Sequence, residues 1–240
     1  LGVAFFLMGS SWWGISAADW GMQMSIVLSA IVGALGVLGL ILILSYKIKN
    51  TLSILIIGLM LSALTSSIIS VLSYFTTSQK LQQYIFWGFG NVSNLTYNEL
   101  AFLYSSVGIG LFIVLFFLKP LNSLLLGENL AQSMGVNIRF TQNTILIIVG
   151  VIVGILTAFV GPIAFIGLAV PHIARLFFKT SNHMILFPAV ILLGSIVMLI
   201  CDTLAQLPFS EQVIPINAVT SLIGAPLVIL LILKQKNYSI

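Results

Sequence analysis

Charge is scarce in this chain. Of 240 residues nine are Lys or Arg and five are Asp or Glu, 6% in all, where a soluble globular domain carries roughly 25%. That excludes a water-soluble domain. It also excludes a nucleic-acid partner, because the net charge of +4 is dispersed through short loops instead of gathered on one basic face. Cysteine is nearly absent: Cys201 stands alone inside an apolar run, so no internal disulfide and no site of several thiolates can form, and it reads as a small core residue. Histidine occurs only at His172 and His183. There is no GxxxxGK[ST] loop, HExxH, GxSxG or clustered set of His, Cys and acidic residues. The chain therefore offers no catalytic residues, no metal site and no phosphate loop for ATP, and it is not read as an enzyme.

What it has is hydrophobicity, 60% of residues with a mean hydropathy of +1.19. Residues 22–46, 51–75 and 100–118 carry no charge, and about 20 apolar residues suffice to cross a bilayer. The runs are continuous, without the alternation of a barrel strand, so they predict transmembrane helices. Further spans are predicted at 141–160, 184–203 and 214–233, with a questionable one at 162–178 and a stub at 1–8. The stub begins with Leu, has no basic segment or cleavage site of a signal peptide, and reads as the end of a helix whose start is missing.

The questionable span decides the topology. Residues 140–174 hold no Lys, Arg, Asp or Glu; as one helix they would measure about 52 Å against a hydrocarbon core of roughly 30 Å. Gly161-Pro162 supplies a break, since glycine admits unusual dihedrals and proline is tolerated in the first turn of a new helix. With two spans, Lys47, Lys49, Lys119, Arg139, Arg175, Lys179, Lys234 and Lys236 share one side and Lys80 the other. With one span the cations divide almost evenly, so the positive-inside rule selects two spans and a cytoplasmic C-terminus. Pro171 removes a hydrogen bond within the second, as at a transport pathway or simply in a kinked packing helix. His172 and Arg175 read as interface anchors on its cytoplasmic end.

The longest cytoplasmic loop, KPLNSLLLGENLAQSMGVNIRFTQN, predicts two short amphipathic helices. Asn122 or Ser123 caps the first, Gly127-Glu128 opens the second with Leu130 and Met134 on one face, and Gly135 stops it. Such helices suit docking to a soluble partner or lying flat on lipid. Outside, residues 76–99 carry Tyr84, Phe86, Trp87, Phe89 and Tyr97, an aromatic belt or a re-entrant helix over residues 81–89. Gly33, Gly36 and Gly39, and the pair Gly150 and Gly154, allow close helix approach. Asp202 is the only carboxylate within the apolar spans and lies at an external end. An ion-coupled transporter keeps acids along its pathway, so energy for any transport must come from elsewhere.

GPIAFIGLAVPHIARLF, CDTLAQLP, LPFSEQVIPINAVTSLIGAPLVILLIL and LLGENLAQSMGV closely resemble the FecCD-type permeases of ABC importers for ferric siderophores, haem and cobalamin, over residues 1–233. The resemblance implies an all-α membrane bundle of the type II importer kind. The family has ten helices, of which this chain would hold part of the third and the fourth to tenth, in a single transmembrane permease domain over residues 1–240. It implies a second permease copy, identical or related, two cytoplasmic ATPase subunits that bind ATP and Mg, and an external binding protein, in a bacterial inner membrane. No cofactor is implied for this chain, and its other contact is membrane lipid. The family's coupling helices match residues 120–138, with Leu126, Gly127, Glu128, Leu130, Ala131, Met134 and Gly135 against the ATPase. A cytoplasmic gate matches Lys47, Lys49, Asn50, Thr51 and Ser53, and residues 51–75 match the pathway helix. The external mouth matches Gln82, Trp87 and Gly88, and the helix break Gly161, Pro162 and Pro171. Relatives often carry Arg after Asp-x-x-Ala; here Gln206 follows Asp202-Thr-Leu-Ala205, which puts salt-bridged docking of the binding protein in doubt. A ferric siderophore, the commonest substrate class of the family, is the expected cargo, with haem or cobalamin as alternatives. A metal-ion permease would place His and Asp along its pathway, and a membrane scaffold that does not transport is the remaining alternative.

Overall fold

The computed structural model describes residues 1–9, 20–47, 51–93, 95–206 and 213–235. Among them there is no strand, and the all-α prediction holds. The helices are α1 (Gly2–Gly9), α2 (Trp20–Lys47), α3 (Thr51–Phe75), α4 (Ser78–Phe89), α5 (Tyr97–Leu124), α6 (Glu128–Ser133), α7 (Ile138–Val160), α8 (Ile166–Phe178), α9 (His183–Ala205) and α10 (Ile216–Gln235). Among the described residues five stretches are long and apolar enough to cross a membrane: Met24–Leu44, Ile56–Phe75, Tyr97–Leu124, Ile138–Val160 and His183–Ala205. Ile166–Phe178 and Ile216–Leu230 are shorter apolar helices. The seven predicted complete spans thus appear as five long helices and two short ones.

Two predicted boundaries are corrected. The helix after the break does not begin at Pro162: residues 161–165 are non-helical and α8 starts at Ile166. Nor are there two separate short helices in the loop over residues 119–143. α5 runs on through Pro120 to Leu124, and only α6 stands apart. Asn122 and Ser123, predicted as caps, are the last-turn residues of α5 instead. The start of α5 follows from a pattern the sequence displays, Thr96-x-x-Glu99. The Glu99 Oε2 accepts from the Thr96 amide at 2.7 Å and the Thr96 hydroxyl at 2.8 Å, while the Glu99 amide lies 3.4 Å from the Thr96 Oγ1, a capping box that keeps this acid partnered although it is buried.

Contacts divide the chain into two compact units, Leu1–Trp87 with Thr96–Gly110 and Thr144–Phe159, and Gly88–Leu95 with Leu111–Asn143 and Val160–Ile240. In the first, Val3 and Leu7 of α1 pack with Val27 and Ala30 of α2 and with Ile155 and Ala158 of α7. Small residues permit it: a Cβ on Gly33 would lie 2.8 Å from the Gly2 nitrogen, and one on Gly154 would lie 2.8 Å from the Ile31 Cα. Lipid is as apolar as these side chains, so close van der Waals fit holds the helices together, not hydrophobic burial. Gly36 and Gly39, by contrast, face open space. In the second unit α8, α9 and α10 pack together, with Cys201 and Ala205 of α9 against Val219 of α10. Cys201 is a fully buried free thiol, as its sequence setting implied.

Candidate functional site

The loop over residues 125–136 is built by two glycines. The end of α5 tightens into three-residue bonds from the amides of Leu125, Leu126 and Gly127 to the carbonyls of Asn122, Ser123 and Leu124, at 3.2, 3.1 and 3.1 Å. Gly127 then takes φ 104° and ψ 152°, a region essentially closed to residues with a Cβ, and turns the chain into α6. At the other end Gly135, at φ 84°, donates to the Gln132 carbonyl at 3.0 Å, and Val136 donates to the Ala131 carbonyl at 3.0 Å. This is a Schellman stop. Asn137 caps the next helix, its Oδ1 accepting from the Phe140 amide at 3.1 Å.

The segment around α6 presents apolar side chains outward. Ala131 is fully buried, whereas Leu126, Leu130 and Met134 are 61%, 57% and 62% exposed. Glu128 is exposed in the first helical turn. The predicted residues of this loop are therefore brought to one short, rigidly terminated segment.

The break forms a second constellation. Gly161 has φ 83° and Phe165 φ 66°; an aromatic residue in the left-handed region is an outlier that surrounding structure must hold. Two residues of α10 do so. The Asn217 Oδ1 accepts from the Ala164 amide at 3.4 Å, and a Cβ on Gly224 would lie 2.4 Å from the Phe165 Cβ, so the glycine makes room for the ring's stem. The same Asn217 amide donates through Nδ2 to the Gly88 carbonyl at 3.3 Å, at the end of α4. Asn217 escaped the sequence reading because an asparagine at a helix start reads locally, and its partners lie far away in the chain.

At the predicted external mouth, the helix expected over residues 81–89 is α4, which starts at Ser78. Gln82 is exposed, and Trp87 and Gly88 are half-buried. The Trp87 indole N–H donates to the carbonyls of Thr157 and Ala158 at 3.2 and 3.3 Å, two of the carbonyls that the end of α7 leaves unmatched. The Asn91 amide takes the Val160 carbonyl at 2.9 Å. Burial pushes the Tyr84 hydroxyl above its ordinary pKa.

Of the predicted gate, Lys49 and Asn50 lie outside the described residues; Lys47 ends α2, Thr51 begins α3, and Ser53 is half-buried in α3. Pro171 lies inside α8, and His172 and Arg175 are exposed on it. The Gln206 side chain donates to the Asp202 Oδ2 at 2.8 Å, so the residue found where relatives often have Arg is engaged within its own helix end. Among the described residues no group of three or more His, Cys, Asp or Glu could hold a metal ion.

The family model for the FecCD transport family matches residues 1–234. The vitamin B12 import system permease protein BtuC of Salmonella newport is 35% identical over 212 residues, covering 87% of this chain and 63% of that protein. The BtuC of Citrobacter koseri is 33% identical over 208 residues, with the same coverage. The chain thus spans less than two thirds of the length of these relatives. A solved structure described as an inward-facing conformation of a metal-chelate type ABC transporter matches with a TM-score of 0.79 and 32% identity, over 97% of this chain and 73% of that one.

Proposed function

The chain belongs to the FecCD transport family, and on that premise we propose that it is the membrane-spanning permease part of an ATP-driven importer. In this reading it works with a second permease copy, two cytoplasmic ATPases that bind ATP and Mg, and an external binding protein. It sits in a bacterial inner membrane with its C-terminus in the cytoplasm. One observation carries the reading: the loop that resembles the family's coupling segment forms α6, a helix fixed at both ends by glycines, with Leu126, Leu130 and Met134 turned outward. Exposed apolar residues on a rigid stem form a knob for a groove in a soluble partner. The ATPase supplies that groove, and its closure on ATP drives the knob and the helices behind it.

The cargo we propose is a metal chelate, a metal already wrapped by its own ligand. Ferric siderophore was the sequence-based preference. The relatives named for vitamin B12 support cobalamin as the first to test, and the solved neighbour's description supports the wider class of metal chelates. Uptake of radiolabelled cyanocobalamin by cells expressing the full-length importer, competed by excess ferrichrome, separates the two. Uptake that resists competition supports cobalamin, competition or uptake of ferrichrome alone supports a siderophore, and transport of none of cyanocobalamin, ferrichrome and haemin removes the chelate reading.

A further inference from the structure

The strongest polar cluster among the described residues lies beside the coupling loop. Asn122 is in the last turn of α5, three residues before the turn that leads into α6, while Asn182 and His183 begin α9. The Asn122 Nδ2 donates to the Asn182 Oδ1 at 2.7 Å. The Asn122 Oδ1 accepts from the His183 amide at 2.7 Å and lies 2.8 Å from the His183 Nδ1. The Asn182 Oδ1 also accepts from the Met184 amide at 2.9 Å, as the cap of α9.

These bonds fix the orientation of every group. A backbone amide can only donate, so the oxygen of Asn122 must face His183 and the oxygen of Asn182 must face Met184. Hence Asn122 presents its NH₂ to Asn182, and the His183 Nδ1 must carry a hydrogen. Neither carboxamide can flip without setting two acceptors or two donors face to face.

The cluster lies where a mechanical tie would matter. α9 packs on α8, with a Cβ on Gly194 meeting Val170 at 3.8 Å, and on α10 through Cys201, Ala205 and Val219. On the other side Asn122 is joined to α6 by the three-residue bonds at residues 122–127. We propose that Asn122, Asn182 and His183 form a latch, a set of positioning residues through which displacement of α6 is carried to the α8–α10 group as well as along α5. The functional half of this proposal rests on the permease reading; the mechanical half does not.

Two isosteric substitutions give opposite expectations. Asn182→Asp keeps an acceptor for both Met184 and Asn122, so the latch holds. Asn122→Asp still accepts from His183 but sets a second carboxylate oxygen against the Asn182 Oδ1, which Met184 keeps in place, so the Asn–Asn bond becomes a repulsion that pushes the two helix ends apart. A role in packing alone would treat the two alike. In the full-length protein in lipid nanodiscs, hydrogen exchange is expected to rise about tenfold in both residues 128–136 and residues 183–186 for Asn122→Asp, and in neither for Asn182→Asp. Faster exchange confined to residues 183–186, or the same profile for both variants, overturns the latch. If Asn122→Asp does not insert, His183→Ala removes only the ring bond and is expected to loosen both segments less, in the same pattern.

The second arm uses the full complex of permease, ATPase and binding protein, loaded with whichever of cyanocobalamin and ferrichrome the uptake assay selects. Stimulation of ATP hydrolysis over the basal rate is expected to fall toward none for Asn122→Asp and to persist for Asn182→Asp. Equal stimulation in both variants overturns the transmission role. A wild-type complex indifferent to the binding protein removes the permease reading instead, and the exchange profile still decides whether the latch exists.

Discussion

At Gly90 a side chain has nowhere to go. The residue has φ 74°, and a Cβ there would meet the Ile216 Cγ2 at 3.0 Å and the Val160 carbonyl at 3.3 Å. Gly135 has a similar φ of 84° but open space around it, so the two separate conformational strain from steric conflict. Alanine at Gly135 is expected to cost about 1 kcal/mol, for the left-handed backbone alone. Alanine at Gly90 adds overpacking of about 1–3 kcal/mol. Thermal unfolding in detergent should rank Gly90→Ala clearly below Gly135→Ala, and equal melting temperatures would refute the crowding at Gly90. Gly224→Ala belongs with Gly90, because its new methyl would press on the Cβ of Phe165, which cannot swing away as the end of a long side chain could. Asn217→Ala removes the partners of both the Ala164 amide and the Gly88 carbonyl. It is expected to cost about 1–3 kcal/mol and to release Phe165 from its left-handed conformation, visible as faster exchange at residues 164–169.

Among the elements, α6 is the one whose proposed coupling role depends on its ends. Gly127 has no atom near its missing Cβ, so valine there would meet only backbone strain, about 1–3 kcal/mol in a Gly-only region. That strain falls on a helix of only six residues. Gly127→Val and Glu128→Lys are both expected to abolish binding-protein-stimulated ATP hydrolysis while leaving membrane insertion intact; unchanged stimulation would remove the coupling assignment. This element was legible in the sequence because glycine at φ above zero leaves a local mark at both Gly127 and Gly135. The start of α8 was not. Pro162 looked like the first residue of a helix, but Ala164 and Phe165 are held out of the helix by Asn217 and Gly224, more than fifty residues away, and no local pattern encodes that. The end of α5 was misjudged for another reason: Lys119 and Pro120 resemble a helix end and stop, yet Pro120 is accommodated inside the last turns and the helix closes on the 122–127 bonds. Thr96 and Glu99 show the reverse case, a capping box plainly written that the aromatic neighbours obscured.

For the whole chain the decisive matter is how many times it crosses the lipid between Arg139 and Lys179. α7 has 23 residues, enough for about 34 Å, but α8 has 13, about 20 Å, short of a hydrocarbon core of roughly 30 Å. A helix so short crosses only with help from the chain at its ends. Here the non-helical residues 161–165 extend it on one side, and Ala164 has partners for both its backbone groups. The Ala164 amide has Asn217, the Val160 carbonyl has Asn91, and the Ala164 carbonyl accepts from Ile166 at 2.8 Å. Irregular backbone at membrane depth requires such partners or a cavity, and Asn217 supplies one of them from α10. The other end carries Arg175 and Lys179, both exposed, and long basic side chains reach the headgroups from below the interface. Two crossings are the topology that the positive-inside rule favours, with Arg139 and Lys179 expected on one side and Lys80 on the other. In a variant with Cys201 replaced by Ala, single cysteines at positions 139, 179 and 80 test this with a membrane-impermeant maleimide on intact and on inverted vesicles. The cysteines at 139 and 179 are expected to react only from the cytoplasmic face and the one at 80 only from outside. Reaction of 139 and 179 from opposite faces would mean a single crossing, and would take the C-terminal tail with it to the far side, away from any ATPase.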